Sequence, residues 1–193
     1  MLSRALLVTL FAAFAWANFA RWRSTGEPSG LGTMLLEGWV AVLFLVRRPT
    51  NQVSTRRLAW VAAPIGSFAM LLARPSSGGL PQLPCEAAQL VGVAIALLSL
   101  GTLGRSFGLV AANRGVKTRG PYGFVRHPAY TGYLIAYLAY TVENPSLRNV
   151  VLFATSTAFQ LVRIREEERV LAADEGYRDY TSRVRFRLVP YVY

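Results

Sequence analysis

Residues 86–103 read EAAQLVGVAIALLSLGTL, and only the first of them, Glu86, carries a charge. A stretch this long and this apolar approaches the ~20 residues a helix needs to cross the hydrocarbon core of a bilayer. It does not stand alone. Leu58–Ala73 carries no charge, and Leu2–Ala20 carries only Arg4. Hydrophobic residues make up 53% of the 193-residue chain and the mean hydropathy is +0.32. A greasy soluble protein can reach such values, so the arrangement decides. The apolar residues come in blocks rather than in alternation, which points to an integral membrane protein.

Working outward from that stretch, six spans are expected: about Leu2–Ala20, Leu31–Val46, Leu58–Ala73, Glu86–Leu103, Ala129–Val142, and one from Leu147 past Arg163. Turn-forming or basic sequence separates them, such as Ser24–Gly30, Arg47-Arg48-Pro49 and Arg74-Pro75 followed by Ser76–Gly79. The fifth and sixth spans read as a helical hairpin turning at Glu143–Ser146. Asp174–Val184 places Tyr177, Tyr180 and Val184 at helical spacing, as in an amphipathic helix on the membrane face or capping a cytoplasmic site. The expected fold is all-α, a polytopic transmembrane bundle with a cytoplasmic helical extension. It forms one structural unit, with spans one to four in 1–103 and a site-bearing part in 104–193. Arg4 and the apolar run to Ala15-Trp16-Ala17 also resemble a signal peptide. The run continues through Phe19 and Ala20, so it is read as the first span.

The formal net charge is +11. In a soluble chain this would raise nucleic acid as a partner; here the basic residues lie between the apolar blocks, at headgroup level, and nucleic acid is not expected. With six spans and a cytoplasmic amino terminus, one side holds Arg4, the arginines of 47–57, the basic residues of 105–126 and those from Arg163 onward. The other holds only Arg21, Arg23, Arg74 and Arg148. That asymmetry places both termini in the cytoplasm. Cys85 is the only cysteine, so neither an internal disulfide nor a cysteine metal site is possible. Pro81 and Pro84 suggest that it lies in a loop, and no metal is expected.

Chemistry-bearing residues concentrate beyond the fourth span. Gly104–His127 is polar and basic, with Gly115 and Gly120 permitting turns and close approach of a ligand. His127, the only histidine, precedes Pro128 at the start of the fifth span, beside backbone N–H groups that welcome an anion. On the sixth helix Arg163 and Glu167 are four apart and share a face with Gln160 and Leu171, so an Arg–Glu pair can look into a pocket. Each feature alone also has an ordinary explanation: a basic loop, a capping histidine, a solvated helix end.

Together and in this order, Arg119–Tyr122, Arg126–Tyr130 with Gly132, Glu167–Leu171, and Tyr177–Tyr180 with Val184 and Pro190 resemble the isoprenylcysteine carboxyl methyltransferase family, related to the phospholipid N-methyltransferases. The resemblance covers about 104–190; the first three spans carry no recognisable motif. It implies a cytoplasmic pocket for S-adenosylmethionine lined by Arg114, Gly115, Val116, Lys117, Tyr122, His127, Pro128, Ala129 and Tyr130, with Glu167 binding a polar group of the cofactor. Arg163 matches a position that handles the substrate, so Arg163 and Glu167 are the residues expected to carry catalysis. Where the family often has Phe-Gly before the tyrosine pair, Asp174-Glu175-Gly176 stands here.

The acceptor expected from this resemblance is lipophilic and prenylcysteine-like, drawn from the bilayer. A phospholipid amine and a thiol are the alternatives within methyl transfer. Outside it stand an NADPH-dependent isoprenoid or sterol reductase and a non-catalytic membrane binder. The oligomeric state is not legible in the sequence.

Overall fold

A computed structural model describes residues 4–193; the expected start of the first span at Leu2 lies outside these residues. Seven α-helices follow one another: α1 Arg4–Thr25, α2 Pro28–Val46, α3 Arg57–Phe68, α4 Gln82–Leu103, α5 Pro128–Glu143, α6 Leu147–Leu171 and α7 Glu175–Arg183. There is no strand among the described residues, only an isolated antiparallel bridge between Val53 and Ala112. Short 3-10 turns extend α3 to Leu72 and α4 to Ser106, and another forms at Gly120–Gly123.

Among the described residues three helices are long and apolar enough to cross a membrane: α1, α2, and α4 with its 3-10 continuation. At ~1.5 Å per residue each reaches or nearly reaches the ~30 Å hydrocarbon thickness. Leu7 is the only buried residue of α1, the others being exposed or half-buried, and Trp16 on α1 and Leu98 on α4 are 70% and 66% exposed. Apolar faces left open in this way suit lipid. The other three helices expected to cross fall short of that measure. The apolar run of α3 contains Pro64 and ends at Leu72, α5 is a 16-residue helix between Pro128 and Asn144, and α6 is long but strongly charged from Arg163 onward.

Helices α1 to α6 alternate in direction. At one end Arg4 donates to the carbonyls of Leu45 and Arg47, Arg105 to that of Val46 and Arg114 to that of Arg48. At the other end Arg148 donates to the Leu72 carbonyl. Buried Asn149 there binds both the amide and the carbonyl of Arg74 and the carbonyl of Asn144. The first, arginine-rich end also carries the loops 47–56 and 104–127.

Two of the closest pairings join consecutive helices, α1 with α2 and α4 with α5, while α6 packs against the distant α3. α5 packs mainly along α4, and α6 along α3, so the consecutive helices α5 and α6 diverge from their shared turn. A Cβ on Gly132 would lie 2.5 Å from the Gly92 carbonyl oxygen, and one on Gly92 would lie 2.6 Å from that of Gly132. The two backbones therefore touch, as small residues allow between membrane helices. The main core runs through Leu36, Leu43 and Phe44 of α2, Ala63 of α3, Leu100 of α4 and Phe107 of the following loop. Cys85 is buried in the first turn of α4 rather than in a loop. Proline is tolerated where a helix begins because the first amides have no intrahelical acceptor.

Candidate active site

The site is assembled from the loop after α4, the start of α5, the end of α6 and the carboxy-terminal segment. The loop runs antiparallel to 47–56, with the Ser54 amide donating to Ala111 and the Asn113 amide to Gln52, both at 2.9 Å. Gly115 has φ 101°, a conformation that suits glycine, and its amide donates to the Asn113 side chain at 3.0 Å. That side chain in turn donates to Asp174 at 3.1 Å. Asp174 accepts from the amides of Gly176 and Tyr177 and so caps α7. The loop and the seventh helix thus share one anchor. The hydrogen bond from Asn113, followed by the capping amides, holds the Asp174 carboxyl below its ordinary range.

Pro128 opens α5, so the side chains that follow His127 emerge in a set helical order. The Tyr130 hydroxyl donates to Glu167 on α6, and the Arg163 guanidinium lies over the Tyr130 ring, 5.1 Å from its centroid. Arg163 also donates to Ser67 Oγ at 2.7 Å and to the Leu109 carbonyl at 3.1 Å. Its Nε, though buried, has no hydrogen-bond partner.

His127 is buried between two carboxylates, its Nε2 3.3 Å from Glu168 and its Nδ1 3.8 Å from Glu167. Glu168 also meets Arg126 at 2.9 Å and Arg187 at 2.8 Å. The segment around Arg187 lies along the start of α5: the Arg126 amide donates to Phe186, the His127 amide to Arg187, and Thr131 Oγ1 to the Leu188 carbonyl. Glu168 therefore ties α6, the approach to α5 and the carboxy-terminal strap together.

Helix α7 closes the end of the site. Tyr177 and Tyr180 pack on Tyr122 in a small aromatic core with Val116 and Leu171, and the Tyr180 hydroxyl donates to the Tyr122 carbonyl at 2.7 Å. Burial pushes the Tyr180 phenol up to about 12 and raises those of Tyr122 and Tyr177 as well. At neutral pH these three are neutral hydroxyls, donors rather than bases.

These elements surround one cavity of about 550 Å³, within the ~300–1,000 Å³ usual for small-molecule sites. Arg114, Gly115, Val116, Lys117, Tyr122, His127, Ala129, Tyr130, Arg163 and Glu167 all line it. Of the residues expected there, Pro128 alone is not in the lining; it is buried at the helix start. Arg163 and Glu167 share the cavity face with Gln160 and Leu171, yet no ion pair joins them among the described residues. Each is instead held through Tyr130, one over its ring and the other on its hydroxyl. The cation over the Tyr130 ring is accordingly the protein's own.

Three residues had no assigned part in the sequence reading. Glu168 lies one residue on from Glu167, off the stripe of Gln160, Arg163 and Leu171, and its partners Arg126, His127 and Arg187 come from distant parts of the chain. Tyr133 and Tyr137 line the cavity with Tyr130. Their spacing of three and four along α5 was the available signal.

The comparisons with known proteins follow the same part of the chain. No curated protein matches it. Residues 86–173 match the family model described as isoprenylcysteine carboxyl methyltransferase (ICMT), a segment running from α4 through α6 and holding the loop, His127, Tyr130, Arg163 and Glu167. Through this segment, somewhat under half of the chain, the protein is similar to the isoprenylcysteine carboxyl methyltransferases, a family of membrane methyltransferases.

Proposed function

We propose that this protein transfers the methyl group of S-adenosylmethionine to a lipophilic acceptor, a prenylcysteine-like carboxylate. The observation that carries the reading is convergence: residues of the 114–117 loop, the start of α5 and the end of α6 line one cavity, closed at its end by the aromatic core of α7. The cavity continues between the apolar helices toward Phe11, Leu36 and Phe68, a shape suited to a polar cofactor at one end and a lipid tail at the other.

The residues present fit the cofactor. Arg114 and Lys117 offer positive charge to its carboxylate, and Glu167 offers acceptors to its ammonium or ribose hydroxyls. Val116, Tyr122 and Tyr177 form an apolar and aromatic wall for the adenine.

When bound, the cofactor supplies an electrophilic methyl on a sulfonium. The protein's part is alignment and charge stabilisation. Tyr130 holds the Glu167 carboxylate in one orientation, and Arg163, fixed by Ser67, Leu109 and the Tyr130 ring, presents its guanidinium edge to the acceptor's carboxylate. A carboxylate attacks already deprotonated, so no general base is required. We place the site and both termini on the cytoplasmic side, with α1 to α6 in the membrane, because the arginine-rich end is the one that carries the site.

The direct test is calorimetric titration of detergent-purified protein with S-adenosylmethionine and, separately, NADPH. Binding of the first and not the second is expected, and Glu167→Ala should weaken it at least about tenfold, the loss of a charge-assisted hydrogen bond, while leaving the protein folded. Binding of NADPH alone would overturn the reading.

A further inference from the structure

At mid-depth the same cavity has a polar feature that methyl transfer as described does not use. Glu37 lies in α2, nine residues before the terminal Val46, which at ~1.5 Å per residue puts it roughly 13 Å from the arginine-rich end. It is buried, 8% exposed, and lines the cavity. One carboxyl oxygen accepts from Asn18 Nδ2 of α1 at 2.9 Å, and the same Asn18 group donates to the Phe14 carbonyl at 3.0 Å. Among the described residues no further hydrogen bond or ion pair reaches Glu37.

Tyr133 and Tyr137 line the same cavity as Glu37 and Arg163. The chamber therefore has the Arg163 guanidinium on one side and, on the other, the Glu37 carboxyl with one oxygen that accepts no hydrogen bond. Around them the walls are apolar, formed by Phe11, Leu36, Val40, Phe68 and Val93.

An ionisable residue inside a membrane helix is costly and marks a functional position by default. Holding α1 against α2 does not require it, since an amide or hydroxyl would serve Asn18 equally at lower cost. We propose that Glu37 is a specificity-determining residue for the acceptor. Its unused oxygen accepts from an N–H or O–H on an amphiphile whose carboxylate is held at Arg163. The acceptor class is an apolar-tailed molecule with a carboxylate and, a few atoms away, a hydrogen-bond donor. The inference rests on the acceptor-binding reading of this cavity, and it concerns a residue outside the segment 86–173 that matches the family model.

Two tritiated probes test it: N-acetyl-S-farnesylcysteine, and its 2-acetoxy analogue, in which an ester oxygen replaces the N–H. Binding is measured by equilibrium dialysis in detergent on wild type, Glu37→Leu and Glu37→Gln, with thermal unfolding recorded for each. Wild type should prefer the N–H probe about tenfold, as expected when a site's acceptor loses its donor. Glu37→Leu should bring the two within about twofold by weakening the N–H probe alone, and Glu37→Gln, which keeps a carbonyl, should retain part of the preference. Equal loss of both probes, or an unchanged preference in Glu37→Leu, overturns the proposal. Methyl transfer from labelled S-adenosylmethionine is followed in parallel. Discrimination without transfer would sink the enzyme reading and leave Glu37 its role, while transfer without discrimination would sink the role of Glu37 alone.

Discussion

The Arg163 guanidinium lies 5.1 Å from the centroid of the Tyr130 ring, while the hydroxyl of that ring donates to Glu167. A single aromatic side chain of α5 thus orients both charged residues of α6 that face the cavity. Removing the hydroxyl and keeping the ring separates the two duties. Tyr130→Phe should weaken S-adenosylmethionine binding about tenfold through a looser Glu167, with acceptor binding at Arg163 changed less than about twofold. Titration of both ligands checks this. Equal losses would show that the hydroxyl supports both ligands and that the two duties are not separable.

Glu168 is the electrostatic knot of the site, touching Arg126, His127 and Arg187. Glu168→Gln should destabilise the docked carboxy-terminal strap by roughly 2–3 kcal/mol, because it leaves partly buried cations short of a partner. Amide exchange should rise first at residues 184–193. Arg187→Gln, which removes the most exposed of the three partners, should have a smaller effect. Unchanged exchange in the Glu168 variant would contradict the assignment.

Backbone contact between Gly92 and Gly132 sets the distance between α4 and α5, and with it the position of His127 and Tyr130. Gly132→Ala should cost about 1–3 kcal/mol, since a new Cβ meets backbone that cannot step aside. Thermal unfolding in detergent measures it. A variant as stable as wild type would mean that the two helices are not in contact there.

The capped carboxyl of Asp174 is held below its unfolded value by Asn113 and the α7 amides. Its contribution is therefore complete above the unfolded pKa and drains away as pH falls through the folded one. Protease nicking of residues 172–183 should be slow at neutral pH and should increase below about pH 4. Asp174→Asn, which keeps an acceptor at the cap, should remove this protein's acid sensitivity there and cost under about 1 kcal/mol at pH 7. A wild-type nicking rate flat with pH would refute the link.

Lys117 is the only lysine in the chain and lines the cavity. A membrane-impermeant amine reagent should modify it in inside-out vesicles and not in right-side-out ones, with S-adenosylmethionine slowing the reaction severalfold. Modification from the outside would reverse the proposed topology.

Much of this organisation was legible without coordinates. Apolar blocks cannot be hidden by context, so α1, α2 and α4 stood out as membrane helices, and the start of α6 at Leu147 followed from Pro145 and Ser146. Cavity-lining residues such as His127, Tyr130 and Glu167 were legible because local punctuation and an ordered combination of short motifs surround them. Pairing was not. Nothing local says that α5 lies against α4, that Arg163 answers to Tyr130 rather than to Glu167 one turn away, or that Glu37 shares a chamber with Arg163. Helix lengths and hydropathy are one-dimensional properties of covalent sequence, and the chain determined them by itself. Which faces meet depends on where backbones approach closely enough to exclude side chains, as at Gly92 and Gly132, and only the packed bundle decided that.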